Sequence, residues 1–300
     1  MPIEFDDQGI DVGGVDDRRG GGMGGGLAIG GGTGVVGLIV FLLWSLLGGQ
    51  GAAPVIPQTN PQPGASAESA AELKARCGQT GALDKYTDCR LIKVYNIADD
   101  VWRAEFNRRG IEYSSPKLAF FSSQTQTGCG GASAEVGPFY CPADHEIYFE
   151  LGFLEVLQTK FGAQGQYAQA YIAAHEFGHH LQSLLGIEPQ VRQIQQANPD
   201  RANQFSVAME LQADCYAGVW GKLSDEAKSG INLRQQDIAE AVAAAEAVGD
   251  DRIQAKVQGR VDPEGFTHGT ADQRKEWFVT GFQSGDIDSC NTFKHYKLTK

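Results

Sequence analysis

Two stretches of this chain are apolar on almost every side and yet carry ionisable groups, a combination that restricts the fold more than any other feature. The first, Tyr167 to Gly186, reads YAQAYIAAHEFGHHLQSLLG; Ala170, Tyr171, Ala174, Gly178, Leu181 and Leu185 recur at three- and four-residue steps, which predicts a helix stopped at Gly186. The second, Phe205 to Leu223, reads FSVAMELQADCYAGVWGKL, with only Glu210 and Asp214 charged before Lys222. A helix that is apolar all round is a buried helix. Two carboxylates on one buried face are very costly without partners, so a cation or a pair of imidazoles should lie opposite them. A salt bridge to an arginine elsewhere is the other way to satisfy them. Gly178 in mid-helix costs about 1 kcal/mol against alanine, which points to another helix passing close by.

The first helix supplies imidazoles. In His175-Glu176-Phe177-Gly178-His179 the two histidines stand four residues apart, on one face and one turn from each other, where both can reach a single Zn²⁺. Glu176 projects beside them, placed to take a proton from a water on the metal. A catalytic zinc keeps three protein ligands and one open position. Glu210 is the expected third ligand, because its side chain is long enough to span a gap between helices. Asp214 would then accept the remaining ring N–H of His175 or His179 and fix its tautomer; the exchanged assignment, Asp214 as the ligand, stays open. An oxyanion formed during peptide hydrolysis needs a further donor, for which His268, in a loop with Asp262, Pro263, Gly265 and Gly269, and Tyr216 are the candidates. His180 stands one step off the ligand face, and neither His145 nor His295 is given a role.

The front of the chain obeys different rules. Of 39 glycines, 17 lie in the first 51 residues. Residues 1–27 are a Gly-rich segment, and 28–47 hold no ionisable side chain; as a helix this run is long enough to cross a bilayer. A cleaved secretory signal is the alternative, since Gly51-Ala52-Ala53 offers small residues for cutting. Residues 48–71, with Pro54, Pro57, Pro61 and Pro63 among Gln, Asn, Ala and Ser, read as a tether, and 72–300 as one folded domain. Arg18 and Arg19 precede the apolar run and the next basic residue is Lys74, which predicts a cytoplasmic N-terminus and a domain outside the cytoplasm, on a single-pass anchor. All six cysteines fall in that domain, a pattern suited to disulfides in an oxidising compartment. Cys77 with Cys89 and Cys129 with Cys141 each close a short loop and leave Cys215 for Cys290, the other reading of Cys215 being a buried thiol in an apolar helix. A net charge of −12 excludes nucleic acid as the main partner.

Lys117–Ser122 and Glu146–Glu150 read as short strands; if one is an edge strand along the cleft, it can hold an extended peptide as an added strand. Residues 233–248 form an Ala-rich helix, and Thr270 with Gln273 a capping box that opens a last helix to about Phe282.

The chain resembles the putative neutral zinc metallopeptidase family of membrane-anchored bacterial proteins. The likeness runs from Val15-Asp16-Asp17-Arg18-Arg19-Gly20 through Phe139-Tyr140-Cys141-Pro142, the His175 helix and Glu210-Leu211-Gln212-Ala213-Asp214-Cys215 to Gly249-Asp250-Asp251 and His268-Gly269. It implies zinc on His175, His179 and Glu210, with Glu176 catalytic, in a gluzincin-like arrangement. The expectation is therefore an α+β, mainly helical zincin-like domain with a small sheet, hydrolysing peptide or protein substrates. A metal-bearing scaffold for envelope partners, without hydrolysis, and a zinc hydrolase of other amides are the rival readings.

Overall fold

The computed structural model describes residues 4–6, 9–19, 67–161, 165–227 and 230–298. The apolar run 28–47 lies outside these residues. Among those described, no helix is long and apolar enough to cross a membrane.

The helices in chain order are α1 (Ala70–Cys77), α2 (Ala82–Lys85), α3 (Thr87–Arg109), α4 (Leu151–Val156), α5 (Gln166–Leu184), α6 (Ile187–Ala197), α7 (Ala202–Glu226), α8 (Gln235–Ala247), α9 (Asp250–Gln258), α10 (Ala271–Ser284) and α11 (Thr292–His295). The strands are β1 (Glu4–Phe5), β2 (Val15–Asp17), β3 (Lys117–Phe121), β4 (Gln124–Thr127), β5 (Gly130–Ser133), β6 (Phe139–Cys141), β7 (Glu146–Glu150) and β8 (Ile231–Asn232). The result is a mainly helical α+β fold with small sheets.

Helix α7 is the axis of the molecule, and α3, α5, α6 and α10 all pack on it. Its burial follows from its composition, since it has no polar stripe to turn toward water. Glycine sets how closely its neighbours approach. A Cβ on Gly178 of α5 would lie 3.0 Å from the Cα and carbonyl oxygen of Ala213, which is the close passage that Gly178 predicts. The α7–α10 crossing is tighter still: a Cβ on Gly218 would meet the Phe278 carbonyl oxygen at 2.0 Å, and one on Gly281 that of Cys215 at 1.9 Å. Helix α5 ends where expected, with Gly186 in the left-handed conformation at φ 68°. Thr270 and Gln273 form the capping box that opens α10. All three cysteine pairs, Cys77–Cys89, Cys129–Cys141 and Cys215–Cys290, are bonded.

The largest sheet runs β2-β3-β7-β6, with β3 parallel to both neighbours and β6 antiparallel to β7. Lys117–Phe121 and Glu146–Glu150 are strands, as their sequences suggest, but both are interior to the sheet and neither is an edge. Burial on both faces is why they read as continuous apolar runs. The edge that meets α5 is β6, whose three residues are all buried.

The second difference concerns the N-terminus. Residues 4–6 and 9–19, which the division at 28–47 sets apart from 72–300, are built into that domain. Strand β1 pairs with β8 and β2 with β3, while Ile10 and Val12 are buried in the main core.

Candidate metal centre

Helices α5 and α7 bring His175, His179 and Glu210 together. All three are buried, and their ligand atoms lie within 4.8 Å of one another. The Nε2 atoms of His175 and His179 are 3.2 Å apart; His175 Nε2 lies 3.2 Å from Glu210 Oε2, and His179 Nε2 3.6 Å from Glu210 Oε1. Donors about 2.0–2.2 Å from a tetrahedral zinc stand roughly 3.3–3.6 Å apart, so the spacing suits that ion.

The second ring nitrogens decide the proton count. His175 Nδ1 is 2.8 Å from Asp214 Oδ1 and His179 Nδ1 2.9 Å from Gln182 Oε1. Both partners accept: Asp214 is a carboxylate, and Gln182 spends its amide N–H groups on Met209 O and Gln212 Oε1. Each Nδ1 therefore carries the hydrogen, and each neutral ring turns a lone pair at Nε2 toward the other and toward Glu210. Three acceptors facing one point require a cation or an added proton.

Without a metal that proton belongs on His175. Burial alone would lower its pKa, but Asp214 and Glu210 outweigh burial and raise it to about 10. Burial takes His179 down to about 4. Burial would raise Glu210, yet the imidazoles of His179, His268 and His175 hold it well below the ordinary carboxylate range. Metal binding at this site then displaces a proton, as is general for histidine ligands.

Asp214 is fully buried and does not face the donor set. Its Oδ1 accepts from His175 Nδ1 and from the Tyr171 hydroxyl, while Arg274 of α10 donates from Nε to Oδ2 at 2.8 Å and from Nη2 to Oδ1 at 2.9 Å. Both of its oxygens are occupied behind His175, and it is not among the three residues whose ligand atoms converge. The arginine expected as the alternative partner of the two carboxylates is present, and of the two it is hydrogen-bonded to Asp214. Arg274 and Tyr171 were not identifiable from sequence, since nothing local marks an arginine of a capped helix as buried.

Glu176 is buried beside the donor set. Its Oε2 has no hydrogen-bond partner, and the backbone N–H of Tyr140 in β6 donates to its carboxylate. Burial raises its pKa to about 7, with His175 opposing the shift. A desolvated carboxylate poised near neutrality has the property a general base needs.

The structure separates the two oxyanion candidates. His268 is buried and close enough to Glu210 for that charge to raise its pKa against the effect of burial. Asp250 holds it: Oδ2 accepts the backbone N–H groups of Thr267, His268 and Gly269 at 2.7, 2.6 and 3.1 Å, and Oδ1 lies 3.2 Å from His268 Nδ1. Tyr216 packs edge-on against Trp102, and the charges that act on it are Asp288 and Arg109. It lies on another side of α7, because a two-residue step from Asp214 turns the helix by about 200°. His180 points away, to Ser114 O at 2.7 Å and the Tyr140 hydroxyl at 3.2 Å. His145 and His295 are exposed, against Tyr140 and Trp277 respectively.

A shallow cavity lined by His179, Glu188, Val191, Arg192, Met209 and Glu210 opens beside the donor set. Ligand atoms, a desolvated carboxylate and a sheet edge thus share one side of α5.

No solved structure matches this chain. Among curated proteins, YpfJ of Escherichia coli, described as uncharacterized, is 52% identical over 196 residues, 65% of this chain and 67% of its own. Rv2575 of Mycobacterium tuberculosis, described in the same way, is 45% identical over 224 residues, 72% of this chain and 74% of its own. The sequence profile described as Putative neutral zinc metallopeptidase matches residues 7–293, and the chain belongs to that family.

Proposed function

We propose that this protein is a zinc-dependent peptidase with a zincin-like centre, in which His175, His179 and Glu210 hold the metal and Glu176 is the general base. The observation that carries the reading is the unpartnered, buried Oε2 of Glu176 beside three convergent acceptors. A metal-bearing scaffold has no use for a desolvated carboxylate at that position. Two imidazoles and one carboxylate are also the donor types that suit zinc.

Zinc, when bound, acidifies a water and polarises a carbonyl. Glu176 takes the proton of the attacking water and delivers it to the departing nitrogen. His268, aimed by Asp250, donates to the carbonyl oxygen as negative charge builds on it. Asp214, itself fixed by Arg274, keeps His175 in the tautomer that leaves Nε2 free for the metal. The outer edge of β6, which already turns the Tyr140 N–H toward Glu176, aligns an extended peptide as an added strand.

The same proposal places the domain outside the cytoplasm, attached to a membrane through residues 28–47. Three disulfides support that compartment.

The test pairs metal analysis with a broad peptide-library digest, using the full chain and its Glu176→Gln variant. Zinc in both proteins and cleavage by the parent alone is the expected result, with a loss of about 10²–10⁴ in rate for the variant. Equal cleavage by both removes the peptidase reading. Zinc in both with cleavage by neither favours the scaffold.

A further inference from the structure

The N-terminal segment reaches the domain through contacts that a membrane between them would forbid. Strand β2 lies in parallel register with β3, pairing Val15 with Leu118, Asp16 with Ala119 and Asp17 with Phe120. Hydrogen bonds from Leu118 N to Gly14 O at 2.9 Å and from Arg18 N to Phe120 O at 2.7 Å extend the ladder at both ends. Gly14 sits so close to the core that a Cβ there would stand 2.6 Å from the Tyr95 hydroxyl.

The charges are engaged as fully as the backbone. Arg18 Nη2 donates to both oxygens of Glu146, at 3.0 and 2.8 Å, and its guanidinium covers the Tyr148 ring. Arg19 is only 3% exposed and donates to Asp17 and to Asp88, each at 2.7 Å. These are the two cations whose position before the apolar run argues for a cytoplasmic N-terminus, and here both are bound by acidic groups. Removing them would leave Glu146, whose side chain is 4% exposed, without its cation; breaking a buried pair in this way is strongly destabilising.

The geometry at the other end of the gap agrees. Glu68 N donates to Asp17 Oδ2 at 3.0 Å, Arg19 lies 3.7 Å from Glu68, and Arg76 bridges Glu68 and Asp88. Arg19 and Glu68, on either side of residues 20–66 in sequence, therefore meet at one cluster of five charged side chains. One bilayer crossing between these points would separate them by the thickness of the membrane. Two crossings would require 48–66, rich in Pro, Gly and Gln, to traverse hydrocarbon with its backbone unsatisfied.

We infer that residues 4–19 are retained in the mature protein and lie on the same side of any membrane as residues 68–298, so that the apolar run meets a bilayer from the domain's own side. This inference makes no assumption about catalysis or metal.

The test uses the full chain in intact bacterial cells and spheroplasts. Glu4 and Asn232 are exposed partners across β1 and β8, with side chains 3.1 Å apart. Glu4→Cys and Asn232→Cys, made singly, are treated with a membrane-impermeant maleimide before and after lysis. Equal labelled fractions for the two positions, a ratio near one before lysis, are expected. A disulfide between them in the double variant would add the pairing itself. Protection of both positions until lysis also supports a shared side. Reaction of one position before lysis and of the other only after it overturns the inference, as does a mature chain from which residues 4–19 have been removed.

Discussion

Replacing Gly281 with alanine tests whether the α7–α10 crossing governs the metal centre from a distance. The new Cβ would lie 1.9 Å from the Cys215 carbonyl oxygen, 2.8 Å from its carbon and 3.0 Å from Val219 N. Ordinary contact needs roughly 3.5 Å, so the helices must part by about 1.5 Å, and since every clashing atom is backbone no side-chain rotamer can absorb the strain. Overpacking of this kind costs about 1–3 kcal/mol or more, opposed by about 1 kcal/mol of improved helix propensity. A net loss near 2 kcal/mol lowers the melting temperature by about 4–8 °C in a domain of this size. The same separation affects the site. Arg274 lies two turns before Gly281 on α10 and holds Asp214, the residue before Cys215, through bonds of 2.8 and 2.9 Å; an added ångström takes both beyond hydrogen-bonding range. His175 then loses a fixed partner at Nδ1, and zinc affinity should fall about 10–100-fold. Thermal unfolding of the metal-free protein and competition for zinc against a chromophoric chelator measure the two effects, with the exposed Gln283→Ala on the same helix as control. A Gly281→Ala protein that melts at or above the parent temperature and binds zinc as tightly would refute the reasoning.

Zinc binding at pH 7 should release between about one and two protons, because in the metal-free site His175 is protonated and Glu176 half-protonated; calorimetry in two buffers of different ionisation enthalpy reads that number, and no release would contradict the protonation of His175. Gln182→Ala, which removes the acceptor at His179 Nδ1, should weaken zinc about 10–100-fold and, because it also strands Met209 O and Gln212 Oε1 in the interior, lower the melting temperature of the metal-free protein. His268→Ala should lower kcat about 10²–10³-fold at nearly unchanged KM, and a change confined to KM would remove it from the oxyanion. The Asp250–His268 pair sets a pH window. Asp250 would be raised by burial, but His268 and the backbone N–H groups of His268 and Thr267 hold it low, so its contribution is complete above the unfolded value of about 3.9 and is lost as pH falls through the folded one. His268 is raised, so its contribution is complete below about 6.5 and is lost as pH rises through its folded value. Urea midpoints of metal-free Asp250→Asn should therefore fall furthest below the parent between about pH 4 and 6.5, with the gap narrowing at pH 3; a constant gap would rule out the linkage.

What the sequence could reveal about this site was whatever is encoded within a few turns of one helix. The four-residue step from His175 to His179, the cost of a glycine at 178 and the pair Glu210 and Asp214 on an otherwise apolar stretch each have a local meaning, and together they specify which helices meet. Gly186 and Thr270 mark helix ends for the same reason. Arg274 has no such signature: it sits 60 residues beyond Asp214 in a helix whose neighbours are Gln273, Lys275 and Glu276, and only the close approach allowed by Gly218 and Gly281 makes it a buried partner. Those two glycines were the available signal. Strands of two or three residues are equally silent, because β1, β2 and β6 are too short to show an alternating pattern. Tyr216 shows the converse error: proximity in sequence to Asp214 does not place a side chain on the same face.

The two carboxylates of α7 have different electrostatic tasks, and the difference bears on Glu176. Asp214 is neutralised by Arg274 at bonding distance and by the ring it supports, so it adds little charge to the site. Glu210 is the one anion among the three converging donors. A dication held by two neutral imidazoles and one carboxylate would keep a net charge of about +1. Without that charge, burial leaves Glu176 half-protonated near pH 7; with it, the carboxyl is drawn toward its anionic form, since a nearby cation favours ionisation. The metal-free protein would then lack a fully competent base as well as its Lewis acid, and loading the metal restores both together. Arg274 belongs to that coupling twice over, because it neutralises Asp214 and its own charge, like that of His175, opposes the rise that burial and Glu210 impose on Glu176.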